Sequence, residues 1–244
     1  MNKLKYLIKK IRKKENASSE DLLNYLRKKG AQIGEDVLVY DPQNTVIDKT
    51  NPWLLTIGDH VRITSGVTIL THDYAWSVLK RCTGGIMGAQ SPVTIGSNVF
   101  IGMKAIITRG VTIGDNVVIG AGSVVTKDCP SNGVYAGNPA RQIMSIEAFF
   151  QKREARQFAE AKTLAIQYQQ RFGKIPPREI FTEYFMLFSN VDEAKNNAAF
   201  RKKMELLGNY DACLAYMDEH KPMFPDYETF LKNCLIMSDR LDNP

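Results

Sequence analysis

The chain has 244 residues, a formal net charge of +6 and a hydrophobic content of 44 %, which are ordinary values for a globular protein of one or two domains. No apolar run reaches the roughly 18 residues of a membrane-spanning helix, and the basic N-terminus lacks the apolar core of a secretory signal. The four cysteines form no C-x-x-C pair. The sequence therefore excludes a zinc ribbon and a disulfide framework, and it indicates reduced thiols in a cytoplasmic protein.

The N-terminal segment carries the positive charge of the chain. Residues 1–29 hold ten Lys or Arg and three Asp or Glu, whereas the rest of the chain is close to neutral. Apolar residues recur there at helical spacing, at Leu4, Leu7, Ile8 and Ile11. The pattern predicts a basic amphipathic helix over residues 1–14, which either lies at the inner face of an anionic membrane or packs on its own protein. A second short helix, capped by Ser18 or Ser19, completes an N-terminal region over residues 1–30.

The central part of the chain repeats an aliphatic residue at every sixth position. In the clearest run these residues are Ile95, Ile101, Ile107, Ile113, Ile119 and Val125. Glycine follows four of them. The period is neither helical nor a simple strand alternation, and it is typical of a parallel β-helix in which three six-residue sides make one coil. Because the same phase begins upstream at Ile33, we predict a β-helix domain over residues 31–144.

A long insertion interrupts the repeat. Residues 72–92 match no hexapeptide, and segments of this length without regular structure are usually either functional or disordered. In a solenoid, insertions project from one face, which is often the binding face. The position of this insertion therefore indicates a binding site.

The C-terminal hundred residues change to helical patterning. Residues 146–172 contain neither Pro nor Gly and predict one long helix, which Gly173 ends. The aromatic side chains of residues 180–188 recur at helical spacing, which is typical of a core or a helix contact. Further helices are expected around residues 198–207, 210–219 and 227–237. This α-helical extension, residues 145–244, contains no motif that we can connect to chemistry.

Among the three histidines, His72 is the candidate for catalysis. His60 occupies a hexapeptide position that Asn98 and Asn116 hold in other repeats, so it is expected on the surface. His220 follows a predicted helix and is also expected to be a surface residue. His72 stands where the repeat stops and the insertion begins. A neutral imidazole at such a place is a suitable general base for a hydroxyl acceptor.

Residues 57–143 resemble the hexapeptide-repeat acyltransferases, and within them the O-acetyltransferases. Three blocks carry the resemblance: I-G-D-H-V-R-I-T-S-G-V-T-I-L-T-H-D up to Asp73, P-V-T-I-G-S-N-V-F-I-G up to Gly102, and I-G-A-G-S-V-V-T-K-D-C-P-S-N-G-V-Y-A-G-N-P-A-R up to Arg141. The last block is the most specific. The chain looks most similar to acetyltransferases of capsular and exopolysaccharide biosynthesis, which are related to galactoside, maltose and serine acetyltransferases.

The resemblance implies a left-handed parallel β-helix that forms a homotrimer with its active sites between subunits. It implies an O-acetyltransferase that moves the acetyl group of acetyl-CoA, without a metal, directly onto a hydroxyl of a sugar or polysaccharide precursor. The catalytic base of the family maps onto His72, and Asp73 would either orient that imidazole or bind acceptor hydroxyls. The backbone at Gly102 and Met103 would stabilise the oxyanion that develops.

The same mapping assigns residues to the two substrates. Lys127 and Arg141 would be the cations for the CoA phosphates. The other positions expected to line the cofactor groove are Phe100, Ala121, Thr126 and Pro139. In the insertion, Tyr74 and Trp76 would stack on a sugar ring and Arg81 would meet an acidic sugar, but the two aromatic residues could equally anchor the insertion on a neighbouring subunit. The role of Arg109 is left open.

Several other functions are compatible with such a repeat. A carbonic anhydrase of this fold needs three histidines around zinc, and only His60 and His72 fall in the repeat. A non-catalytic scaffold is a second alternative, although His72 and the intact A-G-N-P-A-R block count against it. N-acetylation of an amino sugar, a nucleotide sugar or an antibiotic amine would use the same mechanism. Nucleic-acid binding is not supported, because the basic run lacks a recognition motif.

Overall fold

The computed structural model describes residues 14–235. The chain divides into two compact units, Met1–Phe150 and Gln151–Pro244. The basic helix predicted over residues 1–14 lies outside the described residues, apart from residue 14, with which a short 3-10 turn begins. Within the described range, no helix is both long and apolar enough to cross a membrane.

The first helix packs an apolar face against the β-helix. Helix α1 (Ser19–Lys28) begins at Ser18, whose hydroxyl accepts a hydrogen bond from the Asp21 N–H at 3.1 Å. Ser18 is therefore the cap, of the two serines that the sequence offered. Leu22, Leu23 and Leu26 are buried in the same hydrophobic core as the strands that follow, so α1 covers the first coil of the repeat.

Short strands make up the rest of the first unit. They are β1 (Gln32–Ile33), β2 (Leu38–Val39), β3 (Val46–Ile47), β4 (Leu55–Ile57), β5 (Arg62–Ile63), β6 (Thr68–Ile69), β7 (His72–Asp73), β8 (Ala89–Gln90), β9 (Val93–Ile95), β10 (Val99–Ile101), β11 (Ile106–Ile107), β12 (Thr112–Ile113), β13 (Val117–Ile119), β14 (Val124–Val125), β15 (Gly133–Gly137) and β16 (Ala140–Ser145).

The strands form three parallel sheets that the chain visits in turn. The first sheet has the order β1-β4-β9-β12, the second β16-β15-β13-β10-β5-β2, and the third β14-β11-β6-β3. All pairs in these sheets are parallel except β15–β16, an antiparallel hairpin that closes the second sheet. Successive strands therefore lie on successive faces of a triangular β-helix. The predicted hexapeptide repeat has this geometry.

The interior of the β-helix is a column of stacked aliphatic residues. Ile63, Ile101 and Ile119 are consecutive register partners and are all fully buried. Full burial of each such side chain contributes about 1.5–3 kcal/mol. Glycine is required where coils approach closely: a Cβ on Gly102 would lie 2.5 Å from the Ala121 amide nitrogen.

Two corners of the triangle are important for the site. The His corner connects the third sheet to the first sheet and comprises residues 48–54, 70–72, 108–111 and 126–128. The Gly corner connects the second sheet to the third and comprises residues 40–45, 64–67, 102–105 and 120–123. These assignments follow from the strand bounds and the sheet order.

The insertion leaves the His corner and is regularly folded. Strands β7 and β8 form an antiparallel pair at its base, with His72 opposite Gln90. Between them lies helix α2 (Trp76–Thr83), which ends at Gly84 in the left-handed conformation, with φ of +79°. The insertion was expected to be functional or disordered from its lack of a repeat, and the helix within it was not predicted.

The second unit is helical. Its helices are α3 (Ile146–Phe172), which begins in the last residues of the first unit, α4 (Val191–Asn196), α5 (Ala198–Glu205), α6 (Tyr210–Glu219) and α7 (Tyr227–Leu235). Residues 180–188 form two 3-10 turns, Arg178–Phe181 and Phe185–Leu187, rather than one helix. Their aromatic side chains nevertheless build the core, because Phe181 and Phe188 pack with Phe200 and Phe230 and are fully buried.

Candidate active site

The register of the third sheet brings four chain segments to the His corner. Ile47 pairs with Ile69, Ile69 with Ile107, and Ile107 with Val125. The residue that follows each of these leaves the sheet at the same corner, one coil above the last. Positions far apart in sequence, from 48 to 127, therefore lie along one edge of the β-helix.

At this corner the imidazole of His72 is held by a buried carboxylate. The Nδ1 atom of His72 lies 2.5 Å from Oδ2 of Asp48. The same oxygen accepts hydrogen bonds from the Thr71 amide at 3.0 Å and from the Thr71 hydroxyl at 2.6 Å. The other oxygen of Asp48 accepts from the Thr50 amide at 2.8 Å. The side chain of Asp48 is 3 % exposed and that of His72 is 33 % exposed.

These contacts keep Asp48 ionised. Burial on its own would raise the pKa of Asp48, but the hydrogen bonds from Thr71, Thr50 and His72 outweigh it and hold that pKa well below its ordinary value. An ionised carboxylate can only accept hydrogen bonds. The proton of a neutral His72 must therefore be on Nδ1, which leaves the lone pair on Nε2 available to accept a proton.

Asp73, which the sequence paired with His72 as a second catalytic candidate, is engaged elsewhere. Its Oδ2 accepts a hydrogen bond from Nε of Arg109 at 2.7 Å, and its Oδ1 accepts from the Ala75 amide at 3.0 Å. The hydrogen bond from Arg109, with a smaller one from Ala75, lowers the pKa of Asp73. Of the two roles that the sequence left open for Asp73, the orientation of His72 belongs instead to Asp48.

A cavity opens beside His72. It has a volume of about 410 Å³ and is lined by Leu70, His72, Asp73, Thr108, Arg109 and Thr126. Its wall therefore contains one imidazole, one ion pair and the side chains of two threonines. It is large enough for a small organic group, and the carboxylate among its lining residues, Asp73, is paired with Arg109.

The residues predicted to bind the cofactor divide between the two corners. Thr126 lies in the cavity wall with His72, and Lys127 follows it as an exposed residue. Gly102, Met103 and Ala121 lie at the Gly corner instead. The third sheet separates the two corners, and none of these three residues lines the cavity beside His72. A single chain therefore does not bring the predicted oxyanion donors into that cavity.

The remaining predicted cofactor residues lie on or near the second sheet. Phe100 is the middle residue of β10, and its side chain is exposed. Pro139 and Arg141 belong to the hairpin of β15 and β16, and both are exposed. These three residues are likewise not brought to the cavity beside His72 within one chain.

The predicted acceptor residues lie in the insertion. Tyr74 and Trp76 contact each other edge to face, with ring centroids 4.7 Å apart. Tyr74 is exposed, and Arg81 is an exposed residue in the last turn of α2. No residue of α2 is buried, so the described part of this chain leaves the helix uncovered.

Asp48 is the functional residue that the sequence analysis missed. It lies in the stretch of residues 41–55 where the hexapeptide pattern is irregular, since a 3-10 turn at Pro52–Leu54 lengthens that coil. A usable signal was nevertheless present: the β-branched pair Val46-Ile47 is repeated one coil later as Thr68-Ile69. Aligning Ile47 with Ile69 shows that Asp48 leaves the third sheet at the same corner as the residues that lead to His72, one coil earlier.

Within the described residues, no group of three or more His, Cys, Asp or Glu side chains is arranged to hold a metal ion. The site as built is an imidazole with a buried carboxylate behind it, beside an open cavity.

Comparisons with known proteins agree with this geometry. A family model described as the hexapeptide repeat of succinyl-transferase matches residues 92–127. Protein CapG of Staphylococcus aureus is 46 % identical over 124 residues, which are 51 % of this chain and 71 % of that protein. This chain belongs to the hexapeptide-repeat acetyltransferases. Galactoside O-acetyltransferase of Escherichia coli K12 is 46 % identical over 102 residues, 42 % of this chain and 48 % of that enzyme.

Solved structures of hexapeptide-repeat acetyltransferases also match. A maltose O-acetyltransferase from Clostridium difficile 630 is 38 % identical, with 52 % of this chain and 75 % of that chain covered and a TM-score of 0.39. A galactoside acetyltransferase in complex with coenzyme A is 34 % identical, with coverage of 58 % and 82 % and a TM-score of 0.41. The predicted family and the predicted class, a left-handed parallel β-helix with a C-terminal helical extension, are confirmed. The protein is an acetyltransferase.

Proposed function

We propose that this acetyltransferase moves the acetyl group of acetyl-CoA to a hydroxyl of a carbohydrate, with His72 as the general base. The observation that carries the proposal is the hydrogen bond between Nδ1 of His72 and the buried carboxylate of Asp48. It fixes the tautomer whose free Nε2 can take a proton, on a side chain that lines an open cavity. Asp48 acts as a positioning residue, because it contacts the base and is itself buried.

The proposed reaction needs no covalent enzyme intermediate. Nε2 of His72 removes the proton of the acceptor hydroxyl while the hydroxyl oxygen attacks the thioester carbonyl carbon. The tetrahedral intermediate then breaks its C–S bond, and the CoA sulfur leaves with the proton that His72 returns. Asp48 stays ionised throughout and stabilises the imidazolium formed in the first step, as a carboxylate behind a catalytic histidine does in other enzymes.

The backbone of the Gly corner supports the proposed oxyanion and pantetheine sites. Among the described residues, no hydrogen bond uses the amide N–H of Met103 or of Ala121. Both residues are exposed, so both donors are available to a bound acyl group. Fixed donors of this kind stabilise a developing oxyanion without reorganisation. Lys127 and Arg141 are exposed cations suited to the phosphates of the cofactor.

The separation of the two corners supports a homotrimer. The base lies at the His corner and the proposed acyl donors lie at the Gly corner, so a complete site requires the His corner of one copy to face the Gly corner of another. A cyclic arrangement of triangular prisms satisfies this condition for every copy. The insertion supports the same assembly, since it exposes apolar side chains that a neighbouring copy would cover: Val78, Leu79, Ile86 and Met87.

A carbohydrate acceptor is supported by the relatives and by the insertion. The relatives include a galactoside and a maltose O-acetyltransferase. Tyr74 and Trp76 provide adjacent aromatic surfaces at the start of the insertion, and aromatic rings with one polar end suit a ligand that is part apolar and part hydroxylated. A carbohydrate that carries several hydroxyls on a ring face has these properties.

The acceptor chemistry is tested by the product. Acetyl-CoA labelled with ¹³C in the carbonyl is incubated with sugars, amino sugars and nucleotide sugars, and the labelled product is observed by NMR. The proposal predicts an acetyl ester. An amide as the sole product would replace it with N-acetylation, and free acetate at the same rate with and without acceptors would contradict carbohydrate transfer altogether.

The N-terminal segment is proposed to bring the enzyme to the inner face of an anionic membrane. Residues 1–14 combine seven basic residues with an apolar stripe at helical spacing. This combination supports surface binding through electrostatic attraction together with shallow apolar insertion.

A further inference from the structure

The carboxylate of Asp73 connects three parts of the site. One oxygen accepts from the amide of Ala75, which fixes the turn that leads into α2. The other accepts from Nε of Arg109, a residue one coil further along the β-helix. Asp73 directly follows the proposed base His72. The ion pair therefore joins the root of the insertion to the next coil, beside the cavity.

Other attachments of the insertion lie at its two ends. Strands β7 and β8 pair over two residues, and Gln90 accepts from the side chain of Asn51 at 3.1 Å. Within the described structure, the hydrogen bonds of residues 74–88 otherwise stay inside that segment, apart from the bond to Asp73 and the β-pairing at its end. No residue of α2 is buried. In this chain, the path of the segment that carries Tyr74 and Trp76 is therefore fixed mainly at Asp73.

We propose that Arg109 is a positioning residue, whose ion pair with Asp73 sets the path of residues 74–88 and thereby sets the affinity for the acceptor. The inference rests on the proposed function, in which this segment forms the acceptor wall. It gives Arg109 a role that is distinct from direct contact with an anionic acceptor.

The ion pair between Asp73 and Arg109 can be broken by a conservative substitution of either residue. Asp73→Asn keeps a side-chain oxygen for the Ala75 amide but loses the charge that Arg109 contacts. Arg109→Gln removes the guanidinium. Each single variant is expected to raise the acceptor KM about fivefold, the size typical of an exposed ion pair, while kcat changes less than about twofold. Lys28→Gln, which removes an exposed charge from α1, is the matched control and leaves both constants unchanged.

The double variant distinguishes positioning from direct contact. If Arg109 acts through Asp73, the double variant has the same acceptor KM as either single variant, because the pair is already broken. If Arg109 contacts the acceptor itself, the two effects multiply, and the inference is overturned. Arg109→Lys, which keeps the charge, is expected to restore part of the acceptor affinity.

A spectroscopic measurement separates this inference from the proposed function. The chain has two tryptophans, so Trp53→Phe leaves Trp76 as the only reporter. Opening the pair is expected to raise acrylamide quenching of Trp76, with no further rise in the double variant. The same quenching pattern without any acetyl transfer would contradict the proposed function but would leave the positioning role of Arg109 in place. Acetyl transfer with unchanged quenching and unchanged acceptor KM would overturn the positioning role alone.

Discussion

Replacing Asp48 with Asn removes the negative charge behind His72 while altering the shape of the site very little. Oδ1 of Asp48 accepts from the Thr50 amide, whereas Oδ2 accepts from the Thr71 amide, the Thr71 hydroxyl and Nδ1 of His72. With its oxygen toward Thr50, an Asn side chain turns its NH₂ group toward His72, so Nδ1 must accept a hydrogen bond and the ring proton moves to Nε2, where the base is needed. With its oxygen toward Thr71, the tautomer is kept, but the imidazolium formed in the reaction loses the carboxylate that stabilises it.

The expected loss of activity is large because the base is weakened in either orientation of the Asn side chain. General base catalysis contributes about 10²–10⁴-fold to a rate, and a wrong histidine tautomer can remove nearly all of it. We expect kcat of Asp48→Asn to fall within that range, with the KM for acetyl-CoA little changed. Continuous detection of the released CoA thiol measures both constants.

The same variant has a separate and smaller cost in stability. The Thr71 hydroxyl can rotate to accept from the new NH₂ group, but the buried Thr71 amide loses its acceptor. A stranded buried donor costs about 1–3 kcal/mol in the free energy of unfolding. Urea denaturation measures this loss. A kcat within about threefold of the wild type, too small a change for loss of a general base, would refute the tautomer reasoning.

Asp41→Asn is the matched control. Asp41 also accepts two side-chain hydrogen bonds, from Asn44 and Ser65, and they lower its pKa, the bond from Asn44 most. It lies in the same coil as Asp48 but makes none of the hydrogen bonds to His72. We expect a loss of stability with no loss of kcat, which separates local destabilisation from tautomer control.

The stabilising effect of Asp48 has a defined pH dependence. Its folded pKa lies below the unfolded value of about 3.9, so the stabilisation is complete above that value and declines as the pH falls toward the folded pKa. The difference in unfolding free energy between wild type and Asp48→Asn is therefore expected to shrink as the pH falls below about 4. A difference that grew as the pH fell from about 4 to about 2 would contradict the assignment of an ionised Asp48.

Three further predictions concern the cofactor, the Gly corner and the N-terminus. Lys127→Gln is expected to raise the KM for acetyl-CoA about tenfold but not that for acetyl-pantetheine, which lacks the nucleotide phosphates; equal effects on both would exclude phosphate binding. Gly102→Ala places a Cβ 2.5 Å from the Ala121 amide nitrogen. It is expected to lower the free energy of unfolding, measured in urea, by about 1–3 kcal/mol, and unchanged stability would mean that the backbone of the Gly corner shifts to accommodate the Cβ. Deletion of residues 1–14 is expected to abolish co-sedimentation with anionic vesicles in 0.1 M salt, and unchanged binding would end the membrane proposal.

The β-helix could be predicted from the sequence because its repeat is set by local rules. Each coil needs an inward aliphatic residue on every face, so the period of six is visible without knowledge of the pairing. His72 could be found because it stands where that period stops. The strand register then follows from stacking, as the partners Ile101 and Ile119 show.

Asp48 and the contact of Arg109 with Asp73 were not predicted, because they depend on which coils lie next to each other. Asp48 is 24 residues before His72, and Arg109 is 36 residues after Asp73. The irregular coil around Pro52 and the insertion change these separations, so no fixed spacing marks the contacts. The helix α2 was missed for a different reason: it has only 8 residues, fewer than the window of about 11–18 residues over which apolar periodicity identifies a helix.

The oligomeric state can be measured directly. Light scattering coupled to size exclusion should give three times the chain mass of 27.5 kDa. The mass should be the same for His72→Asn, since His72 is not proposed to hold the subunits together. A monomer that is fully active would contradict the assignment of the Gly corner of a neighbouring copy to the active site.

The central claim, that His72 is the base for acceptor-dependent acetyl transfer, is tested most directly by thiol release in two histidine variants. His72→Asn removes the proposed base. His60→Asn is the control, because His60 is a surface histidine with φ of +56° and the equivalent residues of other repeats, Asn98 and Asn116, adopt nearly the same φ. With sugars, nucleotide sugars and lipid-linked oligosaccharides as acceptors, we expect acceptor-dependent release of CoA by the wild type and by His60→Asn, and a rate lower by at least about 10²-fold in His72→Asn. Wild-type turnover in His72→Asn would contradict the account.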